Sequence, residues 1–130
     1  MLKGLAITAA LLAFATPALA GGPAFTEDQA NRGADLYIEN CVKCHGANLS
    51  DGQVGAPLRG ALFRDKWAGK PLSELMDFMS MTMPPENPGY FYPDEYADML
   101  AYILERNDFK PGDAPLPEEA EALKDMTLQW

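Results

Sequence analysis

The sequence predicts an all-α domain built from a few helices joined by long loops. Three observations predict it. Apolar residues recur at helical spacing in three separate stretches, the segments between them are rich in Gly, Pro, Asn and Asp, and no stretch alternates apolar with polar residues over the length of a strand. The 130 residues suit one domain, and neither an internal repeat nor a second domain is visible.

The first twenty residues stand apart from that domain. Lys3 supplies a positive start, residues 5–15 are an almost unbroken apolar run, and Ala18-Leu19-Ala20 offers the small residues that a signal peptidase reads. This pattern predicts a cleaved signal peptide over residues 1–20 and a mature domain over 21–130, beginning near Gly21. The run is short for a membrane span, and no cysteine stands at the cleavage point to take a lipid. The expected location is the periplasm, with no stable membrane insertion once the leader is removed.

The formal net charge is −9, from 19 acidic and 10 basic side chains. That balance argues against nucleic acid and anionic lipid as partners and favours a soluble protein that meets basic or neutral surfaces.

The elements follow in order. Thr26-Glu27-Asp28-Gln29 has the form of a capping box, and Ala30, Gly33, Ala34, Tyr37 and Ile38 give the helix behind it one buried stripe. Gly33 in mid-helix costs about 1 kcal/mol relative to alanine unless something must approach closely there. Residues 46–60 read as loop, with Leu58, Leu62, Phe63 and Trp67 as the apolar pins of the region. A second, short helix starts around Ser73, with Leu72, Leu75, Met76 and Met79 on one face. Pro84, Pro85 and Pro88 predict an extended excursion over residues 81–89.

The last clear helix begins near Pro93-Asp94-Glu95, buries Tyr96, Ala97, Leu100, Ala101, Ile103 and Leu104, and stops near Asn107. The tail carries Pro111, Pro115 and Pro117 and ends in a short helical turn within residues 118–126. Its acids, Asp113, Glu118, Glu119, Glu121 and Asp125, read as a solvated face in preference to a surface that steers a basic partner.

The chain's two cysteines and single histidine stand together as Cys41-Val42-Lys43-Cys44-His45. Scattered at random, the three would fall in this order and spacing about once in eight thousand arrangements. Two thiols at that spacing can add to the two vinyl groups on one edge of a haem, and the adjacent histidine then lies where its imidazole can bind iron. Covalent attachment suits an exported carrier, because the cofactor cannot wash out. Three other readings compete. A redox-active dithiol should follow a strand, a structural zinc site needs four Cys/His ligands, and a plain disulfide loop leaves His45 unexplained.

Because His45 is the only histidine, the opposite axial position is open to a second histidine only from a partner. Peroxidase chemistry is disfavoured for the same reason. The sixth ligand is then a methionine, or the position is open. Met76 and Met79 belong to an apolar helix face, Met99 to the last helix and Met126 to the end of the chain, which leaves Met81 and Met83. Met83 directly precedes Pro84 and is biased into extended backbone, from which a side chain can reach across the haem. Met83 is therefore favoured and Met81 is the alternative. A thioether ligand stabilises the reduced iron.

On these residues the mature chain resembles a class I c-type cytochrome. It is most similar to the periplasmic cytochromes c, or cytochrome c domains, that partner quinoprotein (PQQ-dependent) dehydrogenases. The resemblance is carried by Gly33 and Tyr37, by the motif from Cys41 to His45, and by Gly55-Ala56-Pro57-Leu58-Arg59-Gly60. It continues through Trp67, Met83-Pro84-Pro85-Glu86-Asn87-Pro88-Gly89, residues 96–107 and the tail over 112–123.

The resemblance implies the cytochrome c fold, with few helices and long loops around one covalently bound haem c and its iron. Gly33 would let the first and last helices cross closely, with Tyr96 or Tyr102 in the contact. Pro57 would offer its backbone carbonyl to the free ring nitrogen of His45, although here Leu58 follows the proline directly where many relatives have one residue between. Trp67 and Arg59 would meet the haem propionates, and Trp67 also reads as a plain core aromatic.

The implied function is one-electron transfer without a substrate, so the protein is not an enzyme in itself. The candidate donor is a PQQ-dependent dehydrogenase, and the acceptor an oxidase or another cytochrome of the respiratory chain. The haem edge near Cys41 and Cys44 is the expected exit for electrons. Two other readings stay open: a haem sensor or ligand-binding protein with an open sixth site, and the cytochrome subunit of a larger periplasmic oxidoreductase.

Overall fold

A computed structural model describes residues 22–130; the leader expected over residues 1–20, and Gly21 behind it, lie outside the described residues. The domain is all-α. Its elements are α1 (Glu27–Asn40), α2 (Val42–His45), α3 (Ala61–Trp67), α4 (Leu72–Thr82), α5 (Pro93–Arg106) and a 3-10 turn, Ala120–Leu123. Among the described residues the only β pairing outside helices is an isolated antiparallel bridge between Pro71 and Thr127, and no helix is long and apolar enough to cross a membrane.

α1 opens on the expected capping box. The Gln29 N–H donates to Thr26 Oγ1 at 3.2 Å and the Thr26 N–H to Gln29 Oε1 at 3.3 Å. Its buried stripe is Gln29, Ala30, Gly33 and Tyr37. Ile38, expected in that stripe, is 65% exposed. The stripe is narrow because α1 meets α5 at Gly33 almost backbone to backbone, and a residue one step past Tyr37 has already turned out of the contact.

At that crossing a Cβ on Gly33 would stand 1.9 Å from the Asp98 carbonyl oxygen. Arg32 reaches over the crossing and grips Asp98 with both arms, Nε to Oδ2 at 2.7 Å and Nη2 to Oδ1 at 2.8 Å. The hydrogen bond and charge of Asp98 raise the guanidinium's pKa further. The Tyr37 and Tyr102 rings meet with centroids 5.3 Å apart, so Tyr102 is the aromatic in the α1–α5 contact. Tyr96 serves elsewhere, donating its hydroxyl to the Met83 carbonyl at 2.6 Å.

α4 buries Leu72, Leu75, Met76 and Met79 as expected, together with Ser73. It runs on through Thr82, so Met81 is helical and the extended excursion begins only at Met83, φ −123° and ψ 143°. α5 starts with Pro93 at its first turn, and the Tyr92 N–H is met by Glu95 Oε2 at 2.9 Å.

α3 was not expected from the sequence. Leu62, Phe63 and Trp67, which read as apolar pins of the loop, lie in two turns of helix that bury Phe63 and Trp67, spaced i, i+4. Gly60 turns the chain into it at φ 85°.

The tail is a strap. The Gln29 side chain pairs with the Leu116 backbone in both directions, at 3.0 and 2.6 Å, and the Gly112 N–H donates to the Phe25 carbonyl at 2.8 Å. Further on, the Leu72 N–H donates to Met126 O at 2.7 Å and the Gly69 N–H to Leu128 O at 2.8 Å. Leu116, Leu123 and Leu128 are buried while the five acids of the tail are exposed, the pattern of a solvated face over an apolar underside.

Candidate cofactor site

α1 ends at Asn40, and one further helical turn carries the motif. The Cys44 and His45 N–H groups both donate to the Cys41 carbonyl, at 3.1 and 2.9 Å. Cys41, Cys44 and His45 therefore fall at i, i+3 and i+4, on one side of that turn. Gly46, at φ 84°, ends it. The Tyr37 hydroxyl donates to the Gly46 carbonyl at 2.8 Å, tying the turn back to α1.

All three residues line a single cavity of about 590 Å³, within the ~300–1,000 Å³ typical of cofactor sites. The remaining walls come from every main helix and are mostly apolar, with Leu58, Phe63, Leu75 and Ile103 among them. Val54, Leu62 and Phe78 are exposed large side chains that also border it.

His45 is buried, and its Nδ1 lies 2.8 Å from the Ala56 carbonyl oxygen. A carbonyl can only accept, so Nδ1 carries the hydrogen and Nε2 keeps the lone pair that a metal would take. The imidazole rests against Gly55, where a Cβ would meet Nδ1 at 2.6 Å and Cε1 at 2.8 Å. The Gly55 N–H donates to the Cys44 carbonyl at 2.8 Å and the Gly52 N–H to the His45 carbonyl at 3.2 Å. The loop is thus folded onto the motif turn by its own backbone.

The carbonyl on Nδ1 belongs to Ala56 and not to Pro57, as the resemblance implied. The reason is register. Leu58 follows the proline directly, and its N–H is held by the Leu49 carbonyl at 2.7 Å, which presents the carbonyl one residue earlier to the imidazole. Pro57 itself lines the cavity wall.

Met83 is half-buried and borders the cavity, whereas Met81 is 70% exposed and does not. Met79 and Met99 border it too, but from within the packed faces of α4 and α5. Met83 is anchored through the backbone on both sides of its Cα: its N–H donates to Met79 O at 2.9 Å and its carbonyl accepts the Tyr96 hydroxyl.

Trp67 lines the cavity and is buried, so both readings of it share one position. The Lys66 ammonium lies 5.0 Å from the Trp67 ring centroid and 4.2 Å from that of Phe78. Arg59, expected beside the propionates, is half-buried but is not part of the lining; the basic side chains that are part of it are Lys43 and Lys66. Gly60 turns the chain directly after Arg59, and Lys66 borders the cavity from α3.

The electrostatics also separate the competing readings. Burial, and secondarily Cys44, push the Cys41 thiol up to about 11, the reverse of the lowered value that a redox-active dithiol needs. Among the described residues no group of three or more His, Cys, Asp or Glu side chains could hold a metal ion of the zinc type.

Two contributions to the site are not legible in the sequence. The Tyr96 hydroxyl steadies Met83, and Asn107, read only as the end of a helix, is fully buried against the loop that faces His45. A fully apolar-looking helix face gives no sign of the first. A helix-terminal Asn is so common that the second carries no signal.

Neither curated proteins nor solved structures gave a match. Residues 28–103 match the family model described as cytochrome C oxidase, cbb3-type, subunit III. That span runs from the first turn of α1 through the attachment motif and Met83 into α5, more than half of the chain, which therefore belongs to this family of c-type cytochromes, holds haem c covalently and uses it for electron transfer.

Proposed function

We propose that this protein is a periplasmic one-electron carrier whose single haem c is ligated by His45 and Met83. It accepts electrons from a quinoprotein dehydrogenase and passes them to the respiratory chain through an oxidase or another cytochrome. The observation that carries the reading is the shared cavity: Cys41, Cys44, His45 and Met83 all border it, and the alternative ligand Met81 does not.

When bound, the haem supplies reversible one-electron chemistry at iron. The chain's own residues do the rest. Cys41 and Cys44 would hold the cofactor covalently, and Ala56 fixes the His45 tautomer. The Tyr96 hydroxyl steadies the loop that offers Met83, and the apolar walls keep water from the metal.

The family description favours a second reading, the cytochrome subunit of a larger periplasmic oxidoreductase. One set of experiments addresses both. Fractionation should place the protein in the periplasm with its N-terminus near Gly21. Mixed with a reduced quinoprotein dehydrogenase in a stopped-flow instrument, the purified protein should be reduced rapidly and should bind carbon monoxide poorly. Reduction no faster than by a small-molecule reductant removes the proposed donor. Recovery in a stable periplasmic complex supports the subunit reading.

A further inference from the structure

We propose that Asn107 is a positioning residue for the axial histidine, acting through the loop that carries the Ala56 carbonyl; this rests on the reading that His45 binds the haem iron. Asn107 is fully buried, and both its amide N–H groups and its amide oxygen are hydrogen-bonded. Nδ2 donates to the Leu58 carbonyl at 2.8 Å and to the Ile103 carbonyl at 2.9 Å, and Oδ1 accepts the Gly60 N–H at 3.3 Å. Two of these three bonds cross to a segment almost fifty positions earlier in the chain. A residue needed only to end α5 would bond within the helix, as the link to Ile103 does.

The other side of that segment is held by the Leu58 N–H on Leu49 O, at 2.7 Å. Residues 56–60 are therefore gripped at Leu58 from both directions, two residues after the carbonyl that meets His45 Nδ1. α5 supplies a firm base, since it is locked to α1 at Gly33. The Asn107 carbonyl is occupied as well, accepting the Trp130 Nε1–H at 2.9 Å. No other side chain reproduces this set of bonds. Aspartate cannot donate to Leu58, and leucine of similar shape strands a carbonyl and an N–H in the interior.

A histidine that donates Nδ1–H to a well-placed carbonyl is a stronger donor to its metal. That favours ferric over ferrous iron, so loosening residues 56–60 should raise the midpoint potential. The test uses holoprotein carrying Asn107→Ala, which removes all three bonds, and Asn107→Ser, whose hydroxyl can still reach the Ile103 carbonyl within its own helix and so spares folding. A control, Gln29→Ala, breaks a buried side-chain–backbone pair of similar kind at the tail.

Both Asn107 variants should lose ferric preference by up to about tenfold, which for one electron is a rise of about 59 mV. The His45 Nδ1–H should exchange faster in proton NMR, and Gln29→Ala should melt earlier with its potential unmoved. Asn107 variants that only melt earlier, with wild-type potential and Nδ1–H exchange, would overturn the proposal, as would an equal potential shift in Gln29→Ala. Lack of haem-shifted His45 resonances in the unmutated protein would overturn the ligation itself, and with it this role.

Discussion

Gly33→Ala should destabilise the protein although it places the best helix former in mid-helix. The alanine methyl would lie 1.9 Å from the Asp98 carbonyl oxygen, 2.5 Å from its carbon and 3.0 Å from the Met99 nitrogen. All three are backbone atoms of α5 and cannot rotate away. Ordinary contact lies beyond 3.4 Å, so α1 and α5 must part by roughly 1.5 Å in a close-packed interior. Separation would strain the Arg32–Asp98 pair and the Tyr37–Tyr102 contact at the same crossing.

Overpacking of this kind costs about 3 kcal/mol at the upper end of its usual range, and the helix gain returns about 1 kcal/mol. The net is a loss of about 2 kcal/mol. For a domain of this size each kcal/mol moves the melting temperature by about 4 °C, so the midpoint should fall by roughly 8 °C. Thermal unfolding of the holoprotein followed by circular dichroism measures this. A Gly33→Ala variant that melts at or above the wild-type temperature would refute the backbone-to-backbone crossing, because the helix gain would then be unopposed.

Three further outcomes follow from particular contacts. Tyr96→Phe removes one part-buried hydrogen bond from the Met83 carbonyl, so it should cost about 1 kcal/mol and weaken the methionine–iron absorption band on warming; unchanged melting and an unchanged band would show the hydroxyl to be idle. Arg32→Ala strands the buried Asp98 carboxylate and should cost about 1–2 kcal/mol, with Arg32→Ala/Asp98→Ala more stable than Arg32→Ala alone; the opposite order in urea denaturation would contradict the pairing. Asp51 is held below its ordinary value of 3.8 by hydrogen bonds from the Asn48 backbone and side chain. Its contribution to stability is therefore fully present above that value and is lost as pH falls through the lower folded one. The stability gap between wild type and Asp51→Asn should close on acidification from about pH 6 to pH 2, and a gap independent of pH would be wrong for this mechanism.

What the sequence made legible follows from how local each feature is. The capping box at Thr26, the apolar face of α4 and the proline start of α5 are each set by a few neighbouring residues, and each reads directly. The Cys41-to-His45 motif is equally local, and rare enough in a chain with one histidine to name its cofactor. Other features depend on partners far away in the chain. α3 has only seven residues and a glycine at its entrance, too short for a periodic signal, and Phe63 and Trp67 acquire helical meaning only once packed.

Long-range partners also decide which side of a local pattern matters. Ile38 looks interior until α5 fixes the stripe on Gly33. The carbonyl that meets His45 comes from Ala56 and not Pro57 because the loop's register is set by Leu49 and Asn107, remote from both in sequence. The tail's acids read as a solvated face and are exposed, but its leucines and Gln29 make it a strap that the charge pattern alone does not reveal.

The axial pair is tested most directly by the weak long-wavelength methionine–iron band of the oxidised holoprotein. The band should be present in wild type and in Met81→Ala, and lost in Met83→Ala together with ready carbon monoxide binding after reduction. Survival of the band in Met83→Ala, or its disappearance in Met81→Ala, would contradict the assignment of Met83.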